Sequence, residues 1–347
     1  MLTLQKKYRA AIQHTVCPAL SIIIPFKNEA PNLARMLTSL QAQTYTGACE
    51  VILVNDASDD AFETVLAPFM TSTTPPIRLL HAFAASQANL TSKQRALETG
   101  VRAAQYDWLV FTDADMLFEP AWLSSLTQGI PEGYDLIFGH TSIAGVLHGT
   151  VQKLQAYQLA FLFAVAYAFH RAHLPASCMG NNILIRKEAY VAVGGQPGLG
   201  YSIAEDFKLL EAFRQNGFVI GTPASFMPLA HTFPCLSLQS YYHQMLRWAR
   251  GGLSRTSLLL PAGILFTIQN ITLTCALFGI VPQYCAVHAL INFLLTMFFI
   301  TMAFKKTGTA EKAGKFPLYY CAIILETLVF AVSFIVTPSV VWKSRKL

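Results

Sequence analysis

Carboxylates gather in this chain directly after short runs of β-branched and aromatic residues. Residues 20–25 (LSIIIP) lead into Phe26-Lys27-Asn28-Glu29, residues 51–55 (VILVN) into Asp56-Ala57-Ser58-Asp59-Asp60, and residues 108–112 (WLVFT) into Asp113-Ala114-Asp115. In an open α/β sheet, ligands bind beyond the carboxyl ends of the strands. Three acidic strand ends on one rim therefore imply a bound cation or a ligand with several donor groups. Asp113 and Asp115 are two apart, which in extended backbone puts both carboxylates roughly on one side. Mg²⁺ and Mn²⁺ take one or two protein carboxylates plus substrate phosphate oxygens, and this pair suits such an ion with a ribose beside it. The competing use of the same residues is a capped strand-to-helix turn. Asp56 and Asp59 likewise serve either a ligand or an Asx turn or cap.

Two further groupings carry chemistry. Glu205-Asp206 opens a helical window after the glycine-rich stretch 194–200; a carboxylate there is placed to take a proton, or simply to favour a helix N-terminus through the dipole. Gln244, Arg247 and Trp248 form QxxRW, with Gln244 and Trp248 four apart on one helical face. An Arg fork clasps pyrophosphate and a Trp face accepts a sugar ring. With Tyr241, Tyr242, Arg250 and Arg255 the same stretch also reads as a helix lying along a headgroup layer.

The elements that must position these groups follow from hydrophobic period. Residues 20–25, 51–55, 77–81 and 108–112 read as buried strands, and 32–43, 61–70 and 92–105 as helices, with Asp59 or Asp60 and Thr91 or Ser92 as N-caps. Alternating strands and helices predict a mostly parallel sheet flanked by helices. Hydrophobic residues make up 53% of the 347 and charged residues 13%, against about 25% charged in an ordinary soluble domain, so part of the chain is expected in lipid. The net charge of +6 forms no basic stripe, which excludes a nucleic-acid partner. The seven cysteines show no metal spacing and read as reduced and structural.

Three apolar stretches, 258–280, 284–304 and 316–336, are each about 20 residues, enough to cross a bilayer. Lys305, Lys306, Lys312 and Lys315 put the loop after the second on the cytoplasmic side. Lys343, Arg345 and Lys346 in the tail conflict with three full crossings, so two to four remain open, with Gln269 and Asn270 marking the first stretch as re-entrant. Residues 156–170 read as a helix dipping into the membrane or as a core helix. No apolar run follows Lys6, Lys7 and Arg9, so no secretory signal is expected and the catalytic part stays cytoplasmic. The expected organisation is an extension at 1–19, an α/β domain at 20–236, an interfacial helix at 237–257 and a multi-pass membrane region at 258–347.

Taken in order, SIIIPFKNEA, VILVNDASDD, SKQRALETGVRAAQYDWLVFTDADM, AEDF and QMLRW resemble family 2 of the inverting glycosyltransferases, of GT-A fold, and within it the membrane-bound branch of ceramide glucosyltransferases and processive synthases. The resemblance implies a Rossmann-like nucleotide-sugar-binding domain followed by transmembrane helices. It implies that Pro25, Asn28, Glu29, Asp56 and Lys93 hold the nucleotide, that Asp113 and Asp115 serve ribose and metal, and that His231 reaches the metal or diphosphate. Asp206, beside Glu205, would be the base, with Arg247 on the leaving group. Asn181 and Asn182, with Gln244 and Trp248, would border the acceptor or diphosphate. The expected reaction moves a sugar from a nucleotide-diphosphate donor, uridine type favoured, to a hydroxyl of a lipid or saccharide acceptor, with Mg²⁺ or Mn²⁺ and membrane lipids as partners. A processive polysaccharide synthase and a catalytically silent nucleotide-sugar-binding or scaffold subunit are the alternatives.

Overall fold

The structure, a computed structural model, describes residues 17–71, 74–82, 89–145, 147, 149–223, 227–252, 259–306, 319, 321–326, 329, 341–342 and 345–346. The expectations for the N-terminus, Arg255, Lys312, Lys315, Lys343 and most of the stretch 316–336 lie outside these residues. The chain divides into two compact units, 1–144 with 178–233, and 145–177 with 234–347. The insertion 145–177, expected inside the α/β domain, therefore groups with the C-terminal part.

The first unit begins β1 (Leu20–Phe26), α1 (Ala30–Gln41), β2 (Cys49–Asn55), α2 (Phe62–Met70), β3 (Ile77–His81), α3 (Ser92–Ala103), β4 (Trp108–Thr112), β5 (Met116–Phe118), α4 (Trp122–Thr127), β6 (Leu136–Phe138) and β7 (Thr141–Ile143). After α5 (Thr150–Arg171), which belongs to the second unit, it resumes with β8 (Asn182–Arg186), α6 (Lys187–Ala192), α7 (Gly195–Leu199), α8 (Glu205–Gln215), β9 (Ile220–Gly221) and β10 (Ala230–Thr232). The main sheet runs β3-β2-β1-β4-β8-β6-β9. Only β8 is antiparallel to its neighbours. Every residue of β1 is buried, as a strand covered on both faces requires. The order reverses between β1 and β4, which is where such a sheet opens a ligand crevice.

Each face has its own cover. On one, Ile22, Ile24, Leu53 and Val110 interlock with Leu33, Met36, Leu37 and Leu40 of α1 and with Trp122 and Leu126 of α4. The i, i+3, i+4, i+7 spacing on α1 makes this stripe, and Pro31 suits its first turn. On the other face, Ala96, Leu97 and Val101 of α3 are buried, and Gly100 sits against Ile23 and Val54. Thr91 caps α3 in a reciprocal box with Gln94, as the sequence suggested. The cap expected of Asp59 or Asp60 on α2 does not form, because α2 starts one residue later at an uncapped Ala61. Asp60 Oδ2 instead accepts the Ala30 amide at 2.7 Å. Adjacent parallel strands bring the two loops together, and Ala30 N–H is one of the orphan donors at the start of α1.

In the second unit, α9 (Leu238–Gly252), α10 (Leu259–Leu277) and α11 (Gln283–Lys306) follow α5. Tyr157 and Ala160 of α5 pack with Ile300 of α11 and with Tyr319 and Ile323, so the 156–170 stretch lies in a helical core. Among the described residues one helix, Tyr284–Met302, is long and apolar enough to cross a membrane; its 19 residues span about 28 Å. The apolar part of α10 is shorter, Gly263–Ala276, and contains Gln269 and Asn270. The multi-pass expectation thus reduces, among the described residues, to one candidate crossing.

Because a Cβ on Gly100 would drive into Ile23, Gly100→Val is expected to cost about 1–3 kcal/mol, read as a lowered urea midpoint of the purified protein. An unchanged midpoint would mean that α3 does not press on the sheet.

Candidate active site

The first turn of α3 reaches across the end of β4 to the start of α8. Lys93 Nζ lies 2.8 Å from Asp113 Oδ1 and 2.8 Å from Glu205 Oε1. Burial would lower the Lys93 ammonium, but Asp113 and Glu205 outweigh it and hold the group well above the ordinary lysine range. Lys93 is therefore charged throughout the working pH range. Its raised value adds stability that is complete below the ordinary lysine pKa and disappears only once pH climbs past the raised one. Lys93, Asp113, Glu205 and Asp206 share a pocket with Leu97, Phe111, Gly180, Ile183 and Leu209.

Asp206 stands in the first turn of α8, where its Oδ1 accepts the Phe207 amide at 2.8 Å. The Cys178 thiol points at the Asp206 carbonyl, 3.7 Å away. Burial, then the charges of Asp206 and Glu205, push that thiol well above its ordinary value, so it stays protonated and is no nucleophile.

Two residues missed in the sequence support this arrangement. Gln94 is wholly buried; its Nε2 donates to Gln196 Oε1 (3.1 Å) and the Gly200 carbonyl (2.8 Å), while its Oε1 accepts the Thr91 and Ser202 amides. Glu98 Oε2 accepts the Tyr190 hydroxyl at 3.0 Å and the Gln196 amide at 3.3 Å. α3 thereby fixes the glycine-rich loop that delivers Glu205 and Asp206. Polar residues one and five positions after Lys93, on the helix face that carries Leu97, were the available signal.

Asp56, 7% exposed, directly follows β2, and its amide donates to the Phe26 carbonyl at 2.8 Å. Pro25 is buried within β1. Asn28 and Ala57 adopt left-handed backbone, and Asn28 Oδ1 accepts the Asp59 amide at 3.0 Å. Glu29 Oε2 accepts from Asn32 Nδ2 at 2.6 Å. These nucleotide candidates thus share the adjoining ends of β1 and β2, although the Asn28 carbonyl oxygen is engaged in holding the loops together. Asp115 Oδ2 lies 3.5 Å from Thr232 Oγ1.

His231 is not directed the same way. Strand alternation points it away from Thr232, and its Nε2 meets Glu119 Oε1 at 3.2 Å. Burial lowers its pKa despite Glu119. Asn182 is 1% exposed, accepts from Trp122 Nε1 at 2.8 Å and donates to the His140 carbonyl at 3.1 Å, so both ends of its side-chain amide are engaged inside the core rather than at the acceptor side expected of it. Asn181 Oδ1 accepts from Thr141 Oγ1 at 2.9 Å. Gln244, Arg247 and Trp248 lie on α9 of the second unit, where Gln244 Oε1 accepts Gln155 Nε2 at 3.0 Å. Among the described residues no three His, Cys, Asp or Glu side chains form a ready metal cage.

The family model described as glycosyl transferase family 21 matches residues 1–347. The "Uncharacterized glycosyltransferase YibD" of Escherichia coli (strain K12) is 32% identical over 118 residues, 34% of this chain and 32% of that protein, so the aligned part spans about a third of this relative. Among solved structures, the mannosyltransferase PcManGT from Pyrobaculum calidifontis, in complex with GDP-Man and Mn²⁺, superposes with a TM-score of 0.50 at 16% identity, over 96% of this chain and 93% of that one. That likeness concerns the fold. Motifs resembling family 2 thus occur in a chain that matches family 21 along its length.

Lys93→Met leaves two sheltered carboxylates facing each other and is expected to destabilise the protein by about 2 kcal/mol, with Lys93→Arg losing less, both by urea unfolding. For His231 the folded pKa lies below the ordinary 6.5, so its contribution is complete above that value and lost as pH falls toward the lowered one. A melting curve flattened below pH 6.5 in His231→Gln is the expected readout; an identical pH profile would contradict it.

Proposed function

Since the chain belongs to glycosyl transferase family 21 and is a glycosyltransferase, we propose that it moves a sugar from a nucleotide-diphosphate donor to an acceptor hydroxyl by direct, inverting displacement with Asp206 as base. The observation that carries this reading is the Lys93 bridge. It ties Asp113, on the donor side, to Glu205, the neighbour of Asp206, so donor and acceptor chemistry border one pocket.

In this scheme Asp206 takes the proton of the acceptor hydroxyl as its oxygen bonds to the anomeric carbon, while the bond to the diphosphate breaks. The products are the glycosylated acceptor and a nucleoside diphosphate. Asp56, with Pro25, Asn28 and Glu29 beside it, is assigned to the nucleotide base, Asp113 to the ribose and Arg247 to the leaving diphosphate. Asp113 and Asp115, two residues apart just after β4, are assigned to a Mg²⁺ or Mn²⁺ ion that would take its remaining ligands from substrate phosphate oxygens; among the described residues no group of three His, Cys, Asp or Glu side chains offers a fuller cage. Such an ion would offset charge on the departing diphosphate. The GDP-Man and Mn²⁺ held by the Pyrobaculum mannosyltransferase support the donor class and the metal, while Asp56 as acceptor of a ring N–H is compatible with uridine, through its imide, or guanosine, through its lactam.

The apolar helix Tyr284–Met302, followed by Lys305 and Lys306, supports a membrane-anchored enzyme with its catalytic unit on the cytoplasmic face. With that anchor, an acceptor drawn from lipid is the favoured class: ceramide, diacylglycerol, polyprenyl phosphate or a hydroxylated carotenoid. One transfer per acceptor is favoured over polymer synthesis, since a translocation channel needs more crossings than the one candidate among the described residues.

Isolated membranes incubated with labelled UDP- and GDP-sugars and Mn²⁺ are expected to yield a labelled lipid by mass spectrometry, and chelation should stop its formation. Asp206→Asn should lower turnover by about 10²–10⁴-fold with donor binding retained. A labelled water-soluble polymer would favour the processive alternative, and full turnover in Asp206→Asn would remove the base assignment.

A further inference from the structure

Gly180 lies in the turn before β8, in contact with the pocket that holds Asp206. Its backbone is not among the left-handed glycines, so conformation alone does not call for glycine here. Space does. A Cβ at residue 180 would stand 2.6 Å from both Cβ and Cγ of Asp206, with Oδ2 closer still, and these three are the nearest atoms it would meet. Ordinary carbon–carbon contact is about 3.5–4.0 Å.

Asp206 has little room to yield. Its side chain is short, its Oδ1 already takes the Phe207 amide, and its backbone carbonyl is approached by the Cys178 thiol from the same segment as Gly180. We propose that Gly180 is a positioning residue, whose missing side chain forms the seat that directs the Asp206 carboxylate. The proposal rests on the assignment of Asp206 as base.

Because the three nearest atoms a Cβ would meet all belong to Asp206, most of the strain should vanish when that side chain is removed. Gly180→Ala is expected to lower kcat by about a hundredfold, with the donor selected by the nucleotide-sugar panel, while donor affinity stays unchanged. Added to Asp206→Asn it should cause no further loss. By thermal unfolding, Gly180→Ala should lower the melting temperature of the natural chain but not that of Asp206→Gly. That second comparison reads the seat even where Gly180→Ala alone does not fold. Wild-type kcat in Gly180→Ala, or equal melting losses in both backgrounds, overturns the proposal. Wild-type turnover in Asp206→Asn instead overturns the base assignment and leaves the melting comparison to judge the seat.

Discussion

Two carboxylates from distant parts of the chain come together in a sheltered pocket either by one keeping its proton or by a cation standing between them. Lys93 supplies the cation, 2.8 Å from Asp113 and 2.8 Å from Glu205. Without that ammonium the end of β4 and the start of α8 would repel, and Asp206 would move with Glu205. The position of Lys93 depends in turn on α3, which is capped by Thr91 and Gln94 and pressed against β1 through Gly100. The same helix holds the glycine-rich loop through Gln94 and Glu98. A cap, a close helix–strand approach and an ion pair thus act in series on the geometry of one pocket.

The sheet contributes the other half. Its order reverses between β1 and β4, and parallel pairing of β1 with β2 aligns their carboxyl ends. The loops there bond to one another, Asn28 to the Asp59 amide and Asp60 to the Ala30 amide. These local ties hold Asp56 and its neighbours at the rim before any ligand arrives, which reduces the ordering cost of binding. An enzyme that must separate charge between a base and a leaving group gains from such preorganisation.

The second unit has a different solvent problem. Its helices α5, α10 and α11 are largely apolar, yet polar side chains pair within it: Gln155 with Gln244, Gln158 with Tyr319, and Tyr241 with Glu326 at 2.7 Å. In a low-dielectric interior each such group is costly unless bonded, so the pairs fix how α5, α9 and the segment carrying Tyr319 and Glu326 meet. The QxxRW glutamine is one of them.

By itself the sequence determined the strands β1 to β4, the amphipathic helices α1 and α3, a cap for α3 at Thr91 or Ser92 and the order of acidic strand ends. All of these depend on spacing within a few residues, where period and capping act. It also pointed to a glycosyltransferase, since motif order survives in the linear text. Partners across the fold were decided only in three dimensions: Lys93 between Asp113 and Glu205, Asp60 at α1 rather than α2, Asn182 in the core, Gly180 under Asp206, and residues 145–177 with the C-terminal helices. A side chain's type limits what it can bond, but which group it meets is set by long-range packing, and no local pattern encodes that choice.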